Sequence, residues 1–554
     1  MGGLALAKAA APDLSAGWLL GAAFVCALVA VALTSLPAAS RAGGGAAALC
    51  AIVACAFLCG AAAYGINRAR LGIYDTLPPR EARLVLRITH TFSGGSPKTP
   101  AAAPDGAAAR RPTASGLAIV TDTEPHLREL VGQPVYFSLA LPPALVVPQN
   151  TPSPVIRTAS VSVIGLLVPL PGSAASDDFD GYLTSAGMNF KLTRGRILAL
   201  ERQPSRLAAF YESARLRFSE ILTTGIEHRP RQAGALRAMA LGQKQDIDVE
   251  QNSLFLGSGT MHLFAISGLH IAVIATGMQF LLLVFRLPLW ARLLAGTIAL
   301  YLYVQITGAS PSAMRAFFMV SLLQAAILLR LPANAIATLV FAALATLLYA
   351  PMQLFSASFQ MSYGVVAALL LYGLPLGETW VARREPFRDI PKAALTPAQR
   401  ALIGARRYLL SVLAISIAAS LVSALCGAIY FKLLTPGALL VNLIIIPAAT
   451  VVILSGFLSI LLGLAGLAPL CVLFNHASAL MLLLMENGLA FFLRIPGVSM
   501  PARFSPAWQG YAALALLLAS MLFGYAQKWR LRRGGFWLPA VIVAAVLLFC
   551  MRYK

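Results

Sequence analysis

The sequence predicts a polytopic α-helical membrane protein of about 10–12 transmembrane helices, with a small β domain inserted outside the cytoplasm. Composition is the first reason: 58% of residues are hydrophobic, 12% are charged and mean hydropathy is +0.77, whereas an ordinary soluble chain carries roughly 25% charge. The second is a series of apolar stretches near bilayer length. The third is a single long polar interval that separates two leading spans from the rest.

The leading spans run from Trp18 to Leu36 and from Ala46 to Ile66. The first reads as a retained helix rather than a cleaved signal, because only Lys8 precedes it, offset by Asp13, and the second span follows at once. Residues 1–66 therefore form two N-terminal helices, 67–204 the β domain, 205–259 an amphipathic helical connector, and 260–554 the main transmembrane domain. Within the last, candidate spans are 262–285, 289–306, 312–329, 335–350, 354–376, 409–431, 437–463, 467–493, 508–526 and 536–551.

Charge sets the orientation. One alternate set of short loops holds Arg41, Arg286, Arg292, Arg330, seven basic residues from Arg383 to Arg407, and Lys528, Arg530, Arg532 and Arg533. The opposite loops and the C-terminus hold only Lys432, Arg494, Arg503, Arg552 and Lys554. The positive-inside rule puts the first set in the cytoplasm and the β domain and both termini outside. One miscounted helix after residue 437 would move the C-terminus to the other side.

Strand signals in the outer domain are Ala82–Thr89, Gly116–Thr121, Pro134–Ala140 and 159–167, separated by Pro/Gly-rich loops, which suggests a small barrel or sandwich. Phe92–Pro112, full of Ala, Gly, Pro and Ser, reads as a disordered excursion. After Asp180 the pattern turns helical, with Ser205–Thr223 showing apolar residues at helical spacing. Lys191–Arg237 carries ten basic and four acidic residues. Lys191, Arg194, Arg196, Arg215 and Arg217 can hold a polyanion by phosphate contacts, with Tyr182, Phe190, Phe210 and Tyr211 for base stacking. Contact with lipid headgroups, and aromatic residues as core, remain the alternatives.

All seven cysteines lie in apolar spans, so neither a disulfide staple nor a structural zinc site is expected in the outer domain. Intramembrane ionisable groups are few: His262, His270, Arg315, His476 and Glu486. Polar groups in hydrocarbon mark functional sites unless they simply pair with neighbouring helices. His262 and His270 sit eight residues apart on the first span, with Gly259, Thr260, Ser267 and Gly268 around them, and can face one cavity. Arg315 lies near the outer end of its span, where it attracts a phosphate, pairs with Glu486 or snorkels. Glu486 and His476 suit either proton coupling or a structural counter-ion. Asn442 and Pro447 mark a break in a span, or a kink. Ser267 and His270 lack a Gly-x-Ser-Gly setting, and no Gly-x-x-x-x-Gly-Lys-[Ser/Thr] stretch occurs, so neither a hydrolase nor an ATP-driven pump is expected.

Leu256-Gly-Ser-Gly-Thr-Met-His-Leu-Phe-Ala-Ile-Ser-Gly-Leu-His-Ile271, preceded by the 235–248 stretch, resembles the core signature of the ComEC-type competence proteins. Residues 178–188, Ser312–Ala316, Ser358–Tyr363 and Asn442–Pro447 extend the resemblance in order. It implies an OB-like outer domain that handles DNA and a helical inner-membrane channel for one strand of transforming DNA, lined by Gly259, Thr260, His262, Ser267, Gly268, His270, Arg315, Asn442, His476 and Glu486. Many longer relatives end in a metallo-β-lactamase-like domain. Only 19 residues follow Gly535 here and no His-x-His-x-Asp-His cluster occurs, so the chain is expected to be a short form that is a transport channel, not a nuclease, with no cofactor. The implied partners are single-stranded DNA, a periplasmic DNA-receptor protein, membrane lipid, and a cytoplasmic helicase-type motor on the Glu378–Arg407 loop. A small-solute or lipid-intermediate transporter with an outer interaction domain is the rival reading.

Overall fold

Alternating inward residues such as Ala82, Leu84, Leu86 and Ile88 let five strands wrap around one core. In the computed structural model they are β1 (Arg80–Thr91), β2 (Thr113–Thr123), β3 (Pro134–Ala140), β4 (Ser160–Pro169) and β5 (Phe190–Arg202). They close a barrel in the order β1-β2-β3-β5-β4, with β4 returning to β1 and β3 parallel to β5. The structure describes residues 19, 21–23, 25–26, 54–55, 58–66, 74, 77–92, 113–145, 151, 153–170, 179–331, 334–383, 386–387, 394–495, 497–506, 508–529 and 535–553. Most of the two leading spans, nearly all of the Phe92–Pro112 excursion and the middle of the Glu378–Arg407 loop lie outside the described residues.

The first four strands coincide with the runs expected from alternation, but β5 replaces an expected turn to helix. Its period breaks: Phe190 and Leu192 point inward, Arg194 adopts φ 52°, and Ile197 is the next core residue. Register shifts against both neighbouring strands accompany that phase change. Gly195 is required there, because a Cβ would stand 1.9 Å from the Ile164 carbonyl oxygen. Phe190 is core, not a surface ring.

The chain forms two compact units: residues 1–212 with 344–356, containing the barrel, and residues 213–343 with 357–554. Between β4 and β5 lies the short helix α1 (Phe179–Ser185), and after β5 comes α2 (Arg206–Thr223). The second unit continues with α3 (Pro230–Leu241), α4 (Val249–Gly257), α5 (Gly268–Val284), α6 (Leu289–Ile306), α7 (Pro311–Leu328) and α8 (Ala335–Tyr349), whose last residues belong to the first unit. Then come α9 (Ala357–Ala382), α10 (Pro397–Phe431), α11 (Ala438–Leu464), α12 (Ala468–Phe492), α13 (Trp508–Ala526) and α14 (Leu538–Phe549). Among the described residues, seven helices (α6, α7 and α9 to α13) are long and apolar enough to cross a membrane; α5, α8 and α14 are shorter apolar helices. The chain is a multi-pass membrane protein.

Proline shapes two of these helices differently. Pro375 cannot donate to the Leu371 carbonyl one turn earlier; α9 widens to a π-helix over Leu369–Gly373, and the Trp529 indole N–H takes the freed Leu371 oxygen at 2.7 Å. In α11, by contrast, Pro447 lies inside a continuous helix, so the expected break at Asn442–Pro447 is absent. Two-residue β6 (Leu433–Leu434), β7 (Met500–Phe504) and β8 (Met551–Tyr553) form a small sheet. It puts the α10–α11 turn, the α12–α13 loop and the residues after α14 at one end of the unit.

Residues 213–259 are built into this unit. Ala233–Leu241 are almost wholly buried beside core residues of α5, α6, α7, α11 and α12. The segment runs the length of the α11–α12 hairpin. At the hairpin turn, Gly225 lies against Val472, and Gly463 admits Ile221, whose Cγ2 would be 2.5 Å from an added Cβ. Midway, Leu236 packs on Gly456; at the open end, Gly257 meets Leu493 and Gly259 meets Thr435. From Val472 to Leu493 is about 32 Å at 1.5 Å per residue, the thickness of a hydrocarbon core.

Candidate functional site at the head of the first apolar helix

The expected span 262–285 does not start as one helix. A 3₁₀ turn covers Met261–Phe264, the chain then extends, and α5 begins at Gly268. His262 and His270 therefore occupy different elements. Ser267 is the N-cap of α5 and His270 its third helical residue.

The pair forms a capping box with histidine in the place usually held by Glu or Gln. The Ser267 main-chain N–H donates to His270 Nδ1 at 3.3 Å, and Ser267 Oγ lies 2.9 Å from the same nitrogen. A nitrogen that accepts from an N–H carries no proton, so the His270 proton sits on Nε2. His270 is fully buried; the Leu263 carbonyl is within reach of the ring, yet Nε2 makes no well-formed hydrogen bond among the described residues. The contact between Ser267 and His270 has the distance of a nucleophile–base pair, but Nδ1 is also used by the backbone and no carboxylate bonds the ring among the described residues. Its geometry is that of a helix cap.

Around this cap, Thr260 Oγ1 lies 2.7 Å from Ser258 Oγ, both buried, and His262 Nδ1 lies 3.1 Å from the Gly259 carbonyl with its ring exposed. Gly259 has φ +73°, and a Cβ would stand 2.8 Å from Thr435 Oγ1. Gly268 is exposed with open space where a Cβ would be. Gly259, Thr260, His262, Ser267, Gly268 and His270 thus form one continuous polar segment. Because Thr435 follows β6 directly, the segment lies at the end of the unit that carries the small sheet.

The other expected residues are dispersed. Arg315 is buried, which rules out snorkelling, and it does not pair with Glu486: one guanidinium nitrogen donates to the carbonyl and hydroxyl oxygens of Ser358, both at 2.7 Å, and the group lies 5.8 Å from the Tyr363 ring centre. It ties α7 to α9. Glu486 accepts from Gln251 Nε2 at 2.5 Å, and Gln251, fully buried, also donates to the Arg231 carbonyl. Arg231 pairs with Glu250 and Asp248 at 3.1 and 3.7 Å. His476 is apart from Glu486, exposed beside His228 with ring centres 6.3 Å apart. Asn442 Oδ1 is buried without a hydrogen-bond partner among the described residues.

Sequence reasoning missed Gln251 and Asn475, and it quoted Ser358 and Tyr363 as part of the resemblance without giving them a role at the site. Asn475 Nδ2 donates to the Ile221 and Thr224 carbonyls at 2.7 and 2.9 Å, and its Oδ1 accepts from Ser459 at 2.6 Å. A polar Asn-His pair inside an apolar helix was the available signal. The five basic residues assigned to DNA divide: Lys191, Arg194 and Arg196 lie on β5, Arg215 and Arg217 on α2. Lys191 is held by Asp180 at 2.7 Å and Arg217 by Glu220 at 3.1 Å; Arg194 and Arg196 are exposed. No group of three or more His, Cys, Asp or Glu residues able to hold a metal occurs among the described residues.

Comparison with known proteins bears on the same region. ComE operon protein 3 of Bacillus subtilis (strain 168) is 29% identical over 142 residues, which cover 26% of this chain and only 18% of that protein. No solved structure matches. The sequence model of the Competence protein family matches residues 239–530, from the buried end of α3 through the polar head of α5 to the loop after α13. That match covers more than half of the 554 residues and takes in every element of the candidate site, so the chain belongs to the Competence protein family.

Proposed function

We propose that this chain is the bacterial inner-membrane channel through which single-stranded transforming DNA enters the cytoplasm in natural competence. The carrying observation is the polar head of α5, Gly259 to His270, within the family-matched region of a multi-pass protein. Polyanions cannot cross hydrocarbon, so a strand needs a wet, polar path with weak, distributed contacts. The exposed His262 and the open Gly268, held in place by the buried Ser267–His270 cap, suit a phosphate oxygen met in passing.

The positive-inside rule places the α11–α12 turn in the cytoplasm and the small-sheet end, with the head of α5, outside. The five-stranded barrel, closed in the order β1-β2-β3-β5-β4, supports an OB-like domain outside that receives the strand, with Arg194 and Arg196 as exposed phosphate contacts. A cytoplasmic motor would dock on the Glu378–Arg407 loop, although Arg406 is already engaged there, capping the Trp380, Val381 and Arg383 carbonyls at the end of α9. A periplasmic receptor protein would deliver the DNA.

The test is uptake of marked DNA in cells whose own chain carries His270→Ala, with membrane levels checked by blotting. Loss of cytoplasmic DNA at normal protein level is the expected result. Unchanged transformation in this variant and in a full deletion would remove the DNA-channel reading and favour a small-solute or lipid-intermediate transporter.

A further inference from the structure

Five rings from three separate parts of the chain meet on one side of the barrel. His90 and Phe92 come from the end of β1 and the residue after it, Tyr136 from β3, and Phe179 and Tyr182 from α1. Ring centres are 5.4 Å apart for His90–Phe92, 6.1 Å for Phe92–Tyr136, 5.2 Å for Tyr136–Phe179 and 6.0 Å for Phe179–Tyr182. Tyr136 is the anchored member, buried with Leu170, Leu183 and Met188. Phe92, Phe179 and Tyr182 are 41%, 48% and 49% exposed.

Such rings are not core, and a β domain does not hold three large aromatic side chains half in solvent for its own stability. The Phe179–Tyr136 contact is edge-to-face at 77° and Phe179 stacks on Tyr182 at 23°, so the group is held rigid by its own packing. Cations lie beside part of it. Burial, and secondly the nearby Arg157, hold the His90 imidazole below its ordinary range. Lys191, opposite Tyr136 in the β3–β5 register, is held at the start of α1 by Asp180, next to Phe179. Arg194 and Arg196 are exposed further along β5. Exposed rings packed on one another, with cationic side chains on the β5 strand, match the two parts of a single strand, flat bases and a charged backbone.

We propose that Phe92, Phe179 and Tyr182, seated on Tyr136, form a stacking platform for unpaired bases on the barrel. This rests on the reading of the chain as a single-strand importer and names where the strand is first held. Stacking uses the π face that every base has, so the platform takes bases without regard to sequence.

The experiment uses the full chain in nanodiscs of zwitterionic lipid, with fluorescein-labelled oligothymidylate of about 20 nucleotides followed by anisotropy. The double variant Phe179→Ala, Tyr182→Ala is expected to raise Kd about 30-fold while leaving the slope of log Kd against log salt unchanged, because no phosphate contact is removed. Phe179→Trp, which keeps a π face, is expected to stay within about threefold of the parent. Parent-like binding by the double variant would overturn the platform and leave the import reading standing. Loss with Phe179→Trp equal to that with alanine would also overturn it. So would a double variant that binds oligothymidylate normally but no longer associates with anionic vesicles, which would assign the rings to a bilayer surface. Failure of the parent to bind oligothymidylate, in cells that transform normally without the chain, would remove the importer reading as well.

Discussion

Asn475→Leu should release the segment 221–241 from the α11–α12 hairpin. The asparagine donates to both the Ile221 and the Thr224 carbonyls at the C-terminal end of α2; the Ile221 oxygen also accepts from the Thr224 N–H at 3.3 Å and, more weakly, from Cys471 Sγ, while the Thr224 oxygen has no other donor among the described residues. Leucine fills similar space and donates nothing. Taking the one donor from the Thr224 carbonyl and the shortest from the Ile221 carbonyl costs about 2 kcal/mol, which multiplies the local opening constant roughly thirtyfold. Ser459→Ala is the graded control: Asn475 Oδ1 loses its hydroxyl donor, but both carbonyls keep theirs, so the cost is about 1 kcal/mol, or fivefold. Hydrogen exchange in nanodiscs reads the effect on the Ala233–Leu241 amides, which open only if the segment leaves the core. Protection of these amides within threefold of the parent in Asn475→Leu would refute the idea that Asn475 pins the segment.

Other outcomes follow from single contacts. Trp529→Phe removes the donor for the Leu371 carbonyl orphaned by Pro375, and should lower thermal stability by about 1–3 kcal/mol, more than Trp537→Phe at an exposed ring. Arg315→Ala should cut the yield of monodisperse protein in size-exclusion chromatography, since it leaves the tie between α7 and α9 unmade at about 3 kcal/mol; Arg315→Lys, keeping one donor to Ser358, should lose less. His90 is pushed below its ordinary pKa of 6.5 by burial and by Arg157, so the unfolded chain binds the proton first. Its contribution to barrel stability is complete above pH 6.5 and is lost as pH falls below that value; amide exchange in β1 should quicken over that window, and His90→Gln should flatten the dependence.

Where the sequence was legible, a single period governed the element. Each of the ten apolar stretches after residue 260 carries a helix, and β1 to β4 alternate over a buried face apart from Tyr136 and Ser162, which are buried as well. β5 escaped because Arg194 and its bulges shift the inward phase within one strand. The 213–259 segment escaped for a different reason: from Ala233 on, α3 is buried through small residues such as Ala233, Ala235 and Ala238, whose low hydropathy does not announce a core helix. In the candidate site, the signature Gly259–His270 was readable as one polar run. Its capping geometry was not, because histidine is rarely the third residue of a capping box. The partners of Arg315 and Glu486 lie 43 and 235 residues away, and composition carries no trace of such pairings.

The most direct test of a strand passing the head of α5 uses Gly268, where a side chain meets nothing within 4 Å. Cells carrying Gly268→Cys are treated from outside with a membrane-impermeant cationic thiol reagent, and uptake of marked DNA is measured against identically treated parent cells. The account predicts normal uptake before treatment, a block after it, and slower labelling while DNA is in transit. Complete labelling of the cysteine with uptake unchanged would contradict it.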